Sequence, residues 1–504
     1  MSRLHVTGQA TVPRDQWAAE AGLLLADGWR LALLAAHEDD DRMRVVASFL
    51  RPVGQRTELT VEVPRDDPWI PTLARISFSA GRFEREIRDL YGITPADHPL
   101  PHRLVRHAHW PLGYHPMRRD ADPAPRFNPD TDAYPFVPVE GDGVYEIPVG
   151  PIHAGLIEPG HFRFSVVGET ILQMKARLWF LHRGVEKLFE GRPPAQGIEL
   201  AERISGDTAV GHALAYVLAV EDALGIEVDP GARAVRALLL EAERLYNHVN
   251  DLGAIANDVG YGIAHTHTQR LREHLLRHNK ALTGHRLLRG GIRIGGAHLH
   301  QQPDLDLIRR TADEVAEIVA ITLDHTVVAD RFTGTAVLTT EQAGHIGTLG
   351  YVARACGIPT DARAEHPTIE LGDPFAPVLE QAGDVLARFQ VRAREVAASA
   401  ALIVDLTARI SGAHGSGTAV DPDAFAPDSR TGAPRAGLGV VEAWRGTLVH
   451  RVEISGSGQL ARVRAVDPSF FNWPALPVAL TDTIVPDFPL ANKSFNQSYA
   501  GNDL

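Results

Sequence analysis

The sequence predicts an α+β chain: a small N-terminal α+β domain, then a mainly helical domain built as a long-helix bundle with small peripheral sheets. Three observations lead there. A split apolar hairpin and a period-two alternation occupy the first hundred residues, a Pro-, Asp- and His-rich stretch follows, and apolar residues then recur at steps of three and four over long runs. A chain of 504 residues is long enough for two or three domains and a substantial core. The expected boundaries are 1–120 for the first domain, 121–143 for a Pro/Asp-rich linker and 144–504 for the second domain.

In chain order, "WRLALLAAHEDDDRMRVVASFL" is two apolar runs split by an acidic turn, which predicts a hairpin. "TELTVEVP" alternates with period two and reads as a further strand. "GRFEREIRDLYGI" places Phe83, Ile87 and Leu90 at helical spacing and stops near Gly92. From Pro111 to Pro138 the density of proline and aspartate excludes helix and central strand, leaving an extended connection. "YEIPVGPIHAG" and "GHFRFSVVGETILQMKARLW" carry strand signals, with a turn at Gly168-Glu169. The clearest helix runs from about Pro230 to Leu252, where Val235, Leu238, Leu239, Ala242, Leu245, Val249 and Leu252 form one apolar stripe. On another face Glu241, Arg244, His248 and Asp251 follow at steps of three, four and three, a pattern whose ordinary meaning is surface salt bridging. Further helices are expected near 207–224, 267–283, 303–325 and 373–410, then short strands in "LGVVEAWRGTLVHRVEISG" and "ARVRAVD", and Pro-rich coil to Leu504.

The formal charge of −13 argues against nucleic acid as a partner, because phosphate binding relies on clustered Lys and Arg. No apolar run reaches the ~18–20 residues needed to cross a bilayer, and the opening "MSRLHVTGQATVPRDQW" lacks a signal-peptide core, so a cytoplasmic location is expected. Cys356 is the only cysteine, which excludes an intrachain disulfide and a four-thiolate iron–sulfur or zinc site within this sequence; it reads as a buried, inert thiol. The pairs His265/His267 and His298/His300 would share a face on an extended segment, as a metal site requires. No metal-site signature accompanies them, so they read as polar loop or interface residues and no metal is expected. "GGIRIGG" (Gly290 to Gly296) lacks dinucleotide-fingerprint spacing, and "HPMRRD" with "HRLVRH" reads as a basic patch facing a neighbouring subunit.

Several long motifs carry a family resemblance. "FEREIRDLYGITPADHPLPHRLVRHAHWPLGYHPMRRD" resembles the C subunit of NADH:quinone oxidoreductase, respiratory complex I. From "GPIHAGLIEPGHFRF" onward the chain resembles the D subunit and the large subunit of energy-converting nickel–iron hydrogenases. "HRGVEKLFE", "LLLEAERLYNHVNDLG", "DARAEHP" and "EAWRG" fit the hydrogenase branch, especially the formate hydrogenlyase large subunit, which also fuses C-like and D-like parts. The resemblance implies a fold of the hydrogenase large-subunit or complex I D-subunit type.

It also sets up a discrepancy. Hydrogenases of this kind hold nickel and iron with two pairs of cysteines, and on this sequence those positions fall on Ser205 and Thr208 in "ERISGDT" and on Ser498 and Gly501 in "SFNQSYAGNDL". Nickel–iron chemistry needs soft, polarizable thiolates, whereas an alkoxide is a harder and far less accessible donor. The implied quinone contacts of the D subunit, a His and a Tyr, fall opposite Pro159 and Gly206, with His153 and His161 near enough in sequence to substitute.

By the same resemblance Glu158 matches a proton-transferring Glu, Arg445 in "EAWRG" the Arg overhanging the hydrogenase site, with Trp444 in place of the family's Pro, and Asp361, Arg363 and His366 a motif adjoining that cavity. The catalytic candidates are therefore Glu158, Asp361, His366 and Arg445, and the cavity or quinone-pocket candidates His153, His161, Arg203 and Asp207, with Asp207 expected to pair with Arg445 or Arg203. The resemblance implies no cofactor bound by this chain itself, an iron–sulfur cluster in a partner subunit, and a quinone-type acceptor as one option. It implies a small iron–sulfur subunit, a further ferredoxin-like subunit and membrane-embedded antiporter-like or complex I-like subunits as partners, with the chain peripheral on the inner face of the cell membrane. The competing expectation is a redox-silent scaffold of such a complex.

Overall fold

In the computed structural model, residues 5–128, 134–155, 157–371, 375–412, 432 and 434–504 are described. The acidic turn of "HEDDDR" closes the expected hairpin, Arg30–Glu38 against Arg42–Arg51, and the alternating segment Gln55–Pro64 adds antiparallel to it. A strand without a sequence expectation, His5–Val12, pairs in parallel with Gln55–Pro64 at the sheet edge. The helix Phe78–Tyr91 buries Phe83, Ile87 and Leu90 as its spacing requires. Ser77 accepts the Ala80 N–H at its start, and Gly92 ends it in the left-handed region at φ 80°. A β-carbon at Gly92 would sit 2.9 Å from the His115 ring, so glycine is needed there for space as well as conformation.

The second region opens with a three-stranded sheet, Val144–Val149, His161–Val167 and Thr170–Arg177, turning at Gly168-Glu169 as expected. The long helices are Ala209–Leu224, Pro230–Asn257, Gly262–Thr283, Leu305–Asp324 and Val385–Gly412. The last begins later than the expected 373, and of that expectation residues 373 and 374 lie outside the described residues. The C-terminal sheet, Arg435–Ala443, Gly446–Ile454 and Leu460–Val466, packs on Ala209–Leu224. Its strand approaches so closely that β-carbons at Gly437 and Gly439 would overlap the carbonyl oxygens of Ala219 and Ala215. The expected terminal coil is instead a chain of short buried helices, Pro468–Asn472, Ala475–Ala479, Phe488–Phe495 and Tyr499–Asp503. Its prolines sit in first helical turns, where a missing N–H costs nothing.

The N-terminal unit is joined to the C-terminal sheet by buried and half-buried ion pairs. Arg464 grips Glu86 through both terminal nitrogens (2.9 and 2.6 Å), Arg451 grips Glu58 (2.8 and 3.1 Å), and Arg44 reaches Glu453 at 3.0 Å. Cys356 is buried, donates to the Val352 carbonyl, and burial pushes its thiol up to about 11. No helix among the described residues is long and apolar enough to cross a membrane.

The polar stripe on Pro230–Asn257 corrects the sequence reading. Glu241, Arg244, His248 and Asp251 are at most 2 % exposed, so the stripe faces another charged surface and not water. Arg363 holds Asp361 (2.7 Å) and Glu241 (3.2 Å), Arg354 holds Glu395 (2.8 Å) and Glu442 (2.7 Å), His248 meets Glu395 at 2.6 Å, and Arg392 meets Asp251 at 3.0 Å. Glu241, Asp361, Glu395 and Glu442 face three guanidiniums, Arg244, Arg354 and Arg363, and the group at which the excess falls is Glu442. Burial and the Asp361 charge push its carboxyl up, whereas the arginines overcome burial and hold Asp361 and Glu395 down. Arg244 donates to the carbonyls of Glu442 and Ala443, so the network braces the turn that carries Trp444 and Arg445.

Candidate functional site

Ser205, Asp207 and Thr208 lie on the loop between the helices Pro194–Ala201 and Ala209–Leu224, and Ser498 opens the last short helix, Tyr499–Asp503. These segments, nearly three hundred positions apart, meet: Ser205 Oγ and Ser498 Oγ are 2.9 Å apart, and both are buried. Ser205 donates to Asp207 Oδ1 at 3.0 Å, so Ser498 donates to Ser205, and Ser498 Oγ in turn accepts the Gly501 N–H at 2.9 Å. Thr208 donates to the same Asp207 oxygen at 3.1 Å. All of these hydroxyl protons run toward one carboxylate.

Arg445 completes the cluster. Its terminal nitrogens donate to Asp207 Oδ1 and Oδ2 at 2.7 and 2.8 Å, and its Nε donates to the Asn496 carbonyl at 2.6 Å. The guanidinium stacks 4.0 Å from the centre of the Trp444 ring, whose own N–H donates to the Asp207 carbonyl and to Thr208 Oγ1. Burial opposes ionisation of Asp207, but Arg445 beside it prevails and holds the carboxyl below the usual range. Asn247 fixes the Asp207 backbone carbonyl at 2.8 Å.

Behind this layer lies a second set of groups that the sequence reading missed. Gly501 has no room for a side chain, because a β-carbon there would lie 2.6 Å from the Asp467 carboxylate. That carboxylate accepts from His212 Nε2 at 3.1 Å and from the Ser469 N–H at 2.7 Å. His212 Nδ1 faces His450 Nε2 at 3.1 Å. Burial and the neighbouring His212 pull His450 well down, so it is neutral. Glu243 accepts the Val210 and Gly211 N–H groups at 2.7 and 3.0 Å, capping the helix that Thr208 does not cap, and burial pushes it up to about 8. His212 was visible inside "ERISGDTAVGH"; nothing in the local sequence pointed to Asp467, His450 or Glu243.

The other sequence candidates fall elsewhere. Glu158 is exposed and accepts the Ala500 N–H at 3.1 Å, so it overlies the last short helix from outside. Arg203 is exposed and donates to the Glu199 carbonyl; Asp207's partner is Arg445 alone of the two. His153 and His161 stay on their hairpin, bonded to the carbonyls of Gly160 and Gly150. Asp361 belongs to the buried ionic network, and His366 lines a small recess beside it with Arg363 and Glu442. Burial, with Arg30 and Arg56 nearby, pulls His366 down to about 4. Around Gly206, opposite the D-subunit tyrosine, a β-carbon would meet open space. His265 and His267 lie on the helix Gly262–Thr283, where alternate residues diverge, and among the described residues no cluster of three or more His, Cys, Asp or Glu has metal-site geometry.

Comparison with known proteins agrees with this architecture. Residues 258–503 match the respiratory-chain NADH dehydrogenase 49 Kd subunit family, residues 10–126 the 30 Kd subunit family, and residues 183–251 the nickel-dependent hydrogenases. The chain is 34 % identical to formate hydrogenlyase subunit 5 of Escherichia coli, over 88 % of its own length and 78 % of that protein. It belongs to the fused C/D-type large-subunit family. Other members of this fused family include hydrogenase-4 component G of Escherichia coli, 34 % identical over 83 % of this chain and 73 % of that one. The C/D fusion protein of the NADH-quinone oxidoreductase of Phocaeicola vulgatus is 29 % identical over 68 % and 70 %. A chain of the membrane-bound sulfane sulfur reductase, an archaeal respiratory membrane complex, superimposes with a TM-score of 0.64 at 25 % identity, covering 73 % of this chain and all of that one. The relatives are subunits of energy-converting hydrogenase and complex I-like assemblies, and the fold is the mixed α+β type they share.

Proposed function

We propose that this C/D-type chain is the large subunit of a membrane-attached oxidoreductase that handles electrons beside a partner's iron–sulfur cluster without nickel–iron hydrogen chemistry. The observation that carries the reading is the fate of the four thiolate positions. Ser205, Thr208 and Ser498 converge on Asp207, and the space at Gly501 is taken by Asp467. Two hydroxyl groups in contact and a carboxylate are hard donors, already occupied by one another and by a guanidinium that repels a metal cation, and they do not fit a soft nickel–iron centre. The reading includes docking of a small iron–sulfur subunit against this face, a further ferredoxin-like subunit, membrane-embedded partners and a peripheral place on the cytoplasmic side of the membrane, and the membership of relatives in multisubunit membrane complexes supports it. A quinone-type acceptor would need polar contacts other than those of the D subunit, because Pro159 and Gly206 supply none. A relative whose name specifies sulfane sulfur reduction supports an acceptor other than protons on this fold.

A second reading, a redox-silent scaffold, is favoured by one feature: every Arg445 nitrogen and both Asp207 oxygens are already bonded within the chain. Turnover of the purified complex separates the two. In the enzyme reading, Asp207→Asn lowers electron transfer from the reduced partner cluster to the physiological acceptor at least tenfold while the complex stays assembled. Unchanged turnover in the assembled variant complex overturns it in favour of the scaffold.

A further inference from the structure

A cavity of about 450 Å³ opens between residues 103–110 at the end of the N-terminal domain, Tyr134 and Phe136 of the connection, the hairpin strands and the residues that follow them. That volume suits a small ligand of one or two rings. Its walls combine Trp110, Phe136, Trp179 and Phe180 with Arg103 and Arg177, and among the described residues that line it none is acidic.

Among the described residues that line it, the permanently charged side chains are the two arginines. Arg177 is 4 % exposed, and its donors reach only the backbone carbonyls of Leu104 and Arg106. Three guanidiniums converge on one ring: Arg177 lies 4.7 Å and Arg103 6.0 Å from the centre of Tyr134, and Arg85 donates to its hydroxyl at 3.3 Å. Asp89 is a nearby carboxylate among the described residues, and one of its oxygens is taken up by the N–H groups of Leu104, Val105 and Arg106. Carbonyls satisfy the geometry of a buried guanidinium but leave its charge uncompensated. Burial, with Arg103 and Arg85 nearby, pulls Arg177 down to about 10, in the direction expected for a cation lacking a full counter-ion.

We propose that this cavity binds a flat aromatic anion, its ring against Trp110 and Phe180 and its anionic group toward Arg177. The proposal goes beyond the electron-transfer reading and does not depend on it. Aromatic walls supply stacking area, and the guanidinium supplies planar donors suited to a carboxylate.

The test is calorimetric titration of the purified full chain with 2-naphthoate, beside 2-naphthalenemethanol as the ring without charge and acetate as the charge without ring. The expected result is one saturable site for naphthoate, with both controls weaker by at least about tenfold. Phe180→Ala, at a half-open position without side-chain hydrogen bonds, should weaken binding about fivefold or more while the melting temperature stays that of the parent. Arg177→Gln should weaken it further if that variant folds, and Phe180→Ala keeps the test decisive if it does not. Absence of saturable binding, equal affinity for the neutral alcohol, or an unaltered constant in Phe180→Ala overturns the proposal.

Discussion

Replacing Asp207 by alanine tests whether the carboxylate holds the altered site together. The change removes the paired 2.7 and 2.8 Å bonds to Arg445 and the acceptor for the Ser205 and Thr208 hydroxyls. Two unit charges about 4 Å apart attract by about 4 kcal/mol at an effective dielectric near 20. The Asp207 side chain is 40 % exposed, so solvent screening reduces that to about 2 kcal/mol. Arg445, 4 % exposed, is left buried without its counter-charge, which brings the expected loss to about 2–3 kcal/mol. At about 2 °C per kcal/mol for a chain of this size, the melting temperature should fall by about 4–6 °C. Thermal unfolding of Asp207→Ala, Arg445→Met and the double variant isolates the pair, with an expected coupling of about 2 kcal/mol. The folded-state carboxyl lies below its unfolded value, so the contribution is full above about pH 4 and is lost as pH falls through the lower folded value. A coupling under about 0.5 kcal/mol, or one unchanged in acid, would refute the reasoning.

Gly501→Ala should cost about 1–3 kcal/mol, because its β-carbon enters the space of the Asp467 carboxylate; a parent-like melting curve would show that the position has slack. Glu395→Gln removes the charge that meets Arg354, Arg363 and His248 in the core, and should destabilise by about 3–5 kcal/mol in the same assay. Glu243 sits up at about 8, so the folded chain keeps a proton that the unfolded chain releases near pH 4. Stability should therefore decline from about pH 4 to 8, and Glu243→Gln should flatten that slope in melting curves across the range.

Much of the fold was legible because its signals are local. The Gly168-Glu169 turn, the Ser77 cap with Gly92 at the helix end, and the apolar stripe of Pro230–Asn257 each depend on residues within a few positions of one another. The charged stripe on that helix was misread because spacing of three and four looks the same facing water or facing a second charged surface. What decides is the partner set, Arg354, Asp361, Arg363, Arg392 and Glu395, more than a hundred residues downstream. The tail was misread as coil because its prolines, which break an interior helix, here begin short ones. At the site, the meeting of Ser205 with Ser498 followed the family register, and of the two partners left open for Asp207, Arg445 and Arg203, the structure takes Arg445. Asp467, which fills the room at Gly501, came from a third segment carrying no motif.

The most direct measurement is metal analysis of the purified, assembled complex alongside hydrogen–deuterium exchange activity. The hydroxyl, carboxylate and guanidinium set at Ser205, Asp207, Ser498 and Arg445 predicts nickel far below one per chain and no isotope exchange from dihydrogen. Stoichiometric nickel, or exchange that survives removal of contaminating hydrogenases, would contradict the account.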